Sequence, residues 1–97
     1  ALFIALKCMG VGPGDEVITP ALSWISSAET ISLCHATPVF ADVTSDSYTL
    51  DSDCLEALIT PKTKAVIAVH LYGHAAELAS IKSICSQHGL FLIEDCA

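Results

Sequence analysis

The chain has 97 residues, enough for one domain around one core and too few for two. Apolar residues make up 53% and charged residues 15%, against about 25% charged in an ordinary soluble domain, so the chain reads as a slice from the inside of a larger protein, a single partial domain over residues 1–97. Four lysines, no arginine and eleven acidic residues leave a net charge of −7, which argues against nucleic acid and membrane surfaces as partners because both need a basic footprint.

Residues 1–9 (ALFIALKCM) are apolar nearly all round and predict a buried helix already under way at Ala1, without a basic stretch ahead of it to make a signal peptide, and stopped by Gly10. Gly12, Pro13 and Gly14 make a turn, and Val17 to Thr19 a short strand closed by Pro20. Ile25, Ala28, Ile31 and Ser32 recur at helical spacing, so a helix is predicted from Ile25 to Cys34. Pro38 to Ala41 is the second strand. Asp51 caps a third helix, with Leu55, Leu58 and Ile59 on its inner face, which ends at Thr60-Pro61. Ala65 to His70 is a continuous apolar run, the mark of a parallel strand covered on both faces. Leu78, Ile81, Ile84 and Cys85 form the stripe of a fourth helix, predicted over 76–88 with Gly89 as its stop, and Leu90 to Ile93 is the fourth strand.

Strands alternating with helices predict an α/β fold with right-handed crossovers and a mostly parallel sheet, helices lying on both faces. No apolar run approaches the roughly 18 residues of a membrane span. The five cysteines (Cys8, Cys34, Cys54, Cys85, Cys96) are irregularly spaced and lack a C-x-x-C. They fit a reducing, cytoplasmic setting, each as a small buried hydrophobe.

In open α/β sheets ligands gather beyond the carboxyl ends of the strands. The residues leaving the predicted strands are Ser23 and Trp24, Asp42, His70 with Tyr72, and Asp95. A carboxylate such as Asp95, following an apolar strand, must be solvated, hydrogen-bonded or paired with a cation; its ordinary role is a helix N-cap, its functional one an ion pair with a ligand, and the residues alone leave both open. Trp24, the single tryptophan, can stack on a flat heteroaromatic ring or simply pack. Asp42 reads as a turn or cap residue. His70 and His74 are separated by a change from strand to loop that argues against a shared metal. The G-x-G-x-G of Gly10 to Gly14 precedes a strand, so it fails the structural test for a dinucleotide-binding turn.

The strings GVGPGDEVITPALSWISSAETI, ATPVFADVTSDSYTLD, ITPKTKAVIAVHLYGHAAEL and HGLFLIEDCA, in this order, resemble the DegT/StrS family of pyridoxal-phosphate-dependent sugar aminotransferases. The resemblance covers essentially the whole chain. It implies an aspartate-aminotransferase-type fold, of which these residues would form the middle of the large domain. It matches Asp95 to the carboxylate that pairs with the pyridine nitrogen of pyridoxal 5'-phosphate and keeps the ring protonated, which makes the ring the better electron sink. It matches Trp24 to the aromatic residue that stacks on that ring and fixes its plane. His35 stands where the family usually has glycine, at a helix end where a positive φ is expected.

By the same resemblance, the glycine-threonine pair that holds the cofactor phosphate would precede Ala1, and the Schiff-base lysine would follow Ala97. Lys7, Lys62, Lys64 and Lys82 match neither position. The reading is therefore part of an aminotransferase, not expected to turn over alone, whose complete form is a homodimer with sites at the subunit interface. Its partners are an amino-acid donor, expected to be glutamate, and a nucleotide-linked keto sugar, a chemistry of polysaccharide biosynthesis. The rivals are a sugar dehydratase of the same family, with histidine in place of the lysine, and a non-catalytic α/β binding domain.

Overall fold

The computed structural model describes all 97 residues, in the order α1 (Leu2–Cys8), β1 (Glu16–Pro20), α2 (Ser26–Leu33), β2 (Thr37–Ala41), α3 (Ser52–Leu55) with a 3-10 turn at Glu56–Leu58, β3 (Thr63–Val69), a 3-10 turn at Leu71–Gly73, α4 (Leu78–His88) and β4 (Phe91–Asp95). The strands form one sheet in the order β2-β1-β3-β4 with every pairing parallel. The four strands and the helices between them lie close to where the apolar runs and helical stripes predict them.

The apolar run of β3 splits by alternation. Ala65, Ile67 and Val69 join a core with Leu6 of α1, Val17 of β1, Ile31 of α2 and Cys34 just after it. Val66 and Ala68 join a second core with Ile18 of β1, Leu55 of α3, and Ile81 and Cys85 of α4. Because side chains in a strand point alternately to the two faces, an unbroken apolar run can serve both cores at once. Helices α1 and α2 therefore cover one face of the sheet, and α3 and α4 the other.

The three longer helices end alike. At α2 the amide of Ala36 donates to Ile31 O and that of His35 to Ser32 O, the two bonds of a Schellman ending, which needs a left-handed residue between helix and strand. That residue is His35, with φ +60°, as its position predicts. Gly10 and Gly89 fill the same place after α1 and α4, with φ of +71° and +66°.

Four expectations about the helices and the cysteines differ from the structure. The third helix is α-helical only to Leu55 and then tightens into the 3-10 turn; Thr60, which precedes Pro61, disfavours helical geometry, and Ile59 is already extended. Helix α4 starts at Leu78, not 76. Helix α1 is one-sided: Leu6 is fully buried, while Phe3 and Ile4 stand exposed with nothing in this chain packed over them. Of the cysteines, Cys34 and Cys85 are buried as expected, but Cys54 is half-buried and Cys8 and Cys96 are exposed.

A non-glycine residue in left-handed geometry costs about 1–2 kcal/mol, and the His35 side chain is exposed. His35→Gly should therefore stabilise the whole protein by roughly 1 kcal/mol, read as a higher denaturant midpoint with an unchanged slope. An unchanged or lower midpoint would show that the imidazole makes compensating contacts.

Candidate functional site

From β1 the chain crosses to β2 on one side, and from β3 it crosses to β4 on the other. The two connections diverge, which opens a crevice between the carboxyl ends of β1 and β3. A cleft of about 620 Å³ lies there. Ser23 and Trp24 enter it from the segment after β1 and Ser26 from the start of α2, His70 to Gly73 and Ala75 from the segment after β3, and Asp95 from the end of β4.

Trp24 is 77% exposed, so within this chain it does not pack as a core residue. Beside it, Ser23 Oγ and the buried Ser27 Oγ are 2.9 Å apart, a contact that ties the connecting segment to the first turn of α2. Asp95 is the last residue of β4, two residues beyond the predicted strand end, because Val69 and Asp95 still pair and His70 N donates to Asp95 O at 3.0 Å. Its Oδ1 accepts the Ala97 amide at 3.0 Å, the contact an N-cap makes. Its other carboxylate oxygen has no partner, and the side chain has no cation beside it. The Ala97 contact occupies one carboxylate oxygen and leaves the other free to accept a further donor.

The segment after β3 carries two features that the sequence pattern does not signal. Tyr72 has φ +54° and ψ 28°, and it is 86% exposed at the cleft. The His70 ring is pinned on both nitrogens: Nδ1 accepts the Ala76 amide at 3.0 Å, and Nε2 lies 3.4 Å from Glu94 Oε2. The Nδ1 contact requires a lone pair there, which leaves the proton on Nε2 facing the carboxylate. Glu94 also meets Lys82 Nζ of α4 at 3.4 Å. The hydrogen bond with His70, then that with Lys82, holds the Glu94 carboxyl below its ordinary range.

The other candidates lie elsewhere. The Asp42 carboxylate accepts the Val43 amide at 2.8 Å, as a turn residue does. His74 lines a separate pocket with Asp46 and Glu77. None of the four lysines lines the cleft. Lys64 works at the opposite end of the sheet, donating to Gly10 O at 2.8 Å.

The chain belongs to the DegT/DnrJ/EryC1/StrS aminotransferase family, whose sequence pattern it matches over residues 1–97. It is 50% identical over its full length to L-glutamine:2-deoxy-scyllo-inosose aminotransferase of Streptomyces kanamyceticus, covering 23% of that protein. It is also 50% identical to UDP-2-acetamido-2-deoxy-3-oxo-D-glucuronate aminotransferase of Pseudomonas aeruginosa, covering 27%. Among solved structures, NtdA from Bacillus subtilis with bound cofactor PMP superposes with a TM-score of 0.95 at 36% identity, over 98% of this chain and 22% of that one. The chain therefore spans about a quarter of the length of these relatives, and its sheet has the fold of aminotransferases that depend on pyridoxal phosphate.

A carboxylate whose folded pKa is depressed contributes stability above its ordinary pKa and loses it as pH falls through the folded value. The stability gap between wild type and Glu94→Gln should therefore be present at neutral pH and close as the pH falls through and below the ordinary glutamate range. Denaturant unfolding of the whole protein across this range measures it; a gap independent of pH would mean that the carboxylate charge contributes nothing.

Proposed function

We propose that the protein carrying this chain is a pyridoxal-phosphate-dependent aminotransferase that moves an amino group from an amino acid to a nucleotide-linked keto sugar, and that residues 1–97 form the middle of its cofactor-binding large domain. The observation that carries this reading is the meeting of an exposed indole and a carboxylate with a free oxygen, brought from different strands into one cleft at the reversal of strand order. Residues placed only for packing have no reason to converge there.

The residues present fit the ring of the cofactor and not its phosphate. Trp24 offers a flat face, 77% exposed, that would lie against the ring and hold its plane. Asp95 offers its unpartnered oxygen to the protonated pyridine nitrogen and keeps that proton in place. When bound, pyridoxal phosphate supplies the carbonyl that takes up the amino group and a ring that draws electrons from the bond to be broken. The cleft holds no lysine, so under this reading the lysine that anchors the cofactor comes from another part of the protein. The aminotransferase names of both 50% identical relatives favour lysine there over the histidine of a dehydratase.

Glutamate is the expected donor, but the Streptomyces relative names glutamine, so both belong in the assay. The complete enzyme is read as a homodimer, for which sedimentation of the whole protein is the direct measurement.

Asp95→Asn should leave the fold and the Ala97 contact intact and remove the charge that holds the ring proton. Breaking a buried charge pair typically costs about 3–5 kcal/mol. Asp95 is only half-buried in this chain, so transamination should fall by at least about a hundredfold. Trp24→Ala should instead loosen cofactor binding by roughly 1–2 kcal/mol, seen as an increased dissociation constant. An Asp95→Asn protein fully loaded with pyridoxal phosphate that transaminates at the wild-type rate would overturn the proposal.

A further inference from the structure

We propose that His70 is a positioning residue that sets the loop wall of the cleft against its floor; the inference rests on the function proposed above and adds a role for a side chain that need not touch cofactor or substrate. Three contacts of one residue carry it. The His70 amide donates to the backbone carbonyl of Asp95 at 3.0 Å, which joins the end of β3 to β4 at the residue that bears the carboxylate. Ring Nδ1 accepts the Ala76 amide at 3.0 Å, which closes the segment 71–75 into a loop. Ring Nε2 faces Glu94 at 3.4 Å, and Glu94 is held in turn by Lys82 of α4. The Ala76 contact and the Glu94 contact call for the same tautomer, so they reinforce each other.

The loop so closed contains the site's strained residue. Tyr72 has φ +54° and Gly73 φ +77° in succession. Left-handed geometry in a bulky residue persists only where the surroundings over-determine it. Tyr72 is 86% exposed, so its own packing does little to hold it. What holds the segment is the Leu71 O bond from the His74 amide, at 2.9 Å, and the His70 ring spanning its base, with a side chain only 15% exposed. The imidazole thereby fixes where Tyr72 stands relative to Asp95, the two walls between which a ring faced by Trp24 would sit.

The test uses the whole protein and three variants. His70→Leu removes the acceptor for the Ala76 amide, His70→Asn puts an amide oxygen near the place of Nδ1, and His70→Ser is too short to reach. Hydrogen exchange over residues 70–76 is read in cofactor-free protein; pyridoxal phosphate affinity and the visible circular dichroism of the bound cofactor are read separately. His70→Leu and His70→Ser should speed exchange in 70–76, weaken cofactor binding by about tenfold, the scale expected for a half-buried donor left unpaired, and alter the dichroism. His70→Asn should recover affinity to within about threefold of wild type. The proposal is overturned if the loop loosens while affinity and dichroism stay at wild-type values, or if His70→Asn behaves like the other two. Should His70→Leu not fold, His70→Asn against His70→Ser decides in the same way. A wild-type protein that binds no pyridoxal phosphate would instead overturn the function proposed above, and the exchange data would still report whether His70 closes the loop.

Discussion

Strand β3 has to be buried on both faces and paired on both edges, and the rest of the structure follows from meeting that demand. Its apolar run feeds two cores, so helices must cover both sides of the sheet. With right-handed crossovers, covering both sides requires the chain to wind outward in two directions from the centre, and it does so by reversing at the β1 and β3 pair. The crevice that holds Trp24 and Asp95 is the geometric remainder of that reversal. A sheet wound in a single direction would put all its helices on one face and would have no such gap.

The two ends of the sheet are treated differently. At the amino end the polar groups find partners: Lys64 Nζ holds Gly10 O and sits 3.5 Å from Asp15, whose carboxylate takes the Gly12 amide, and the Thr60 hydroxyl donates to Glu16 at 2.6 Å. These contacts are partly exposed, and the one ion pair among them is worth at most about 1 kcal/mol, but they satisfy the turns that enter the strands. At the carboxyl end Trp24 and Tyr72 are exposed, one oxygen of Asp95 is free, and Tyr72 is held in left-handed geometry. Exposed rings, a free carboxylate oxygen and a left-handed tyrosine meeting at this end are where a ligand can supply what the chain does not.

The fold was legible because its signals are local and repeated. Alternation of faces needs no partner to be recognised, so Ala65 to Val69 announced a covered strand, and the stripe of Leu78, Ile81 and Cys85 announced a helix. His35 was legible through the helix ending it completes. The features that escaped are tertiary. Nothing in the string HLYGHAA tells that the ring of the first residue accepts the amide six residues on, or that the tyrosine between them turns left-handed. Glu94 gives no such signal either, because its contacts join His70 to Lys82 of another element. The end of β4 was misplaced because Glu94 and Asp95 are charged, and charge signals loop until the backbone pairing with Val69 is seen. Trp24 was ambiguous for the opposite reason: an indole looks the same in a sequence whether it is to be buried by its own chain or left open.

Two relatives with the same 50% identity over these residues carry different acceptors in their names, one a deoxy-inosose and the other a nucleotide-linked oxo-glucuronate. If the segment set the acceptor, equal likeness to both would be hard to reconcile with its chemistry. Under the proposed function the difficulty disappears, because what this segment supplies to the cleft is a flat face, a carboxylate and a pinned loop. In that reading those groups would act on a ring and a proton, and none of them has to distinguish one sugar from another. Selectivity would in that reading fall to side chains other than these groups. A change at Trp24, Asp95 or the pinned loop would, in that reading, alter the cofactor environment whichever sugar is the acceptor.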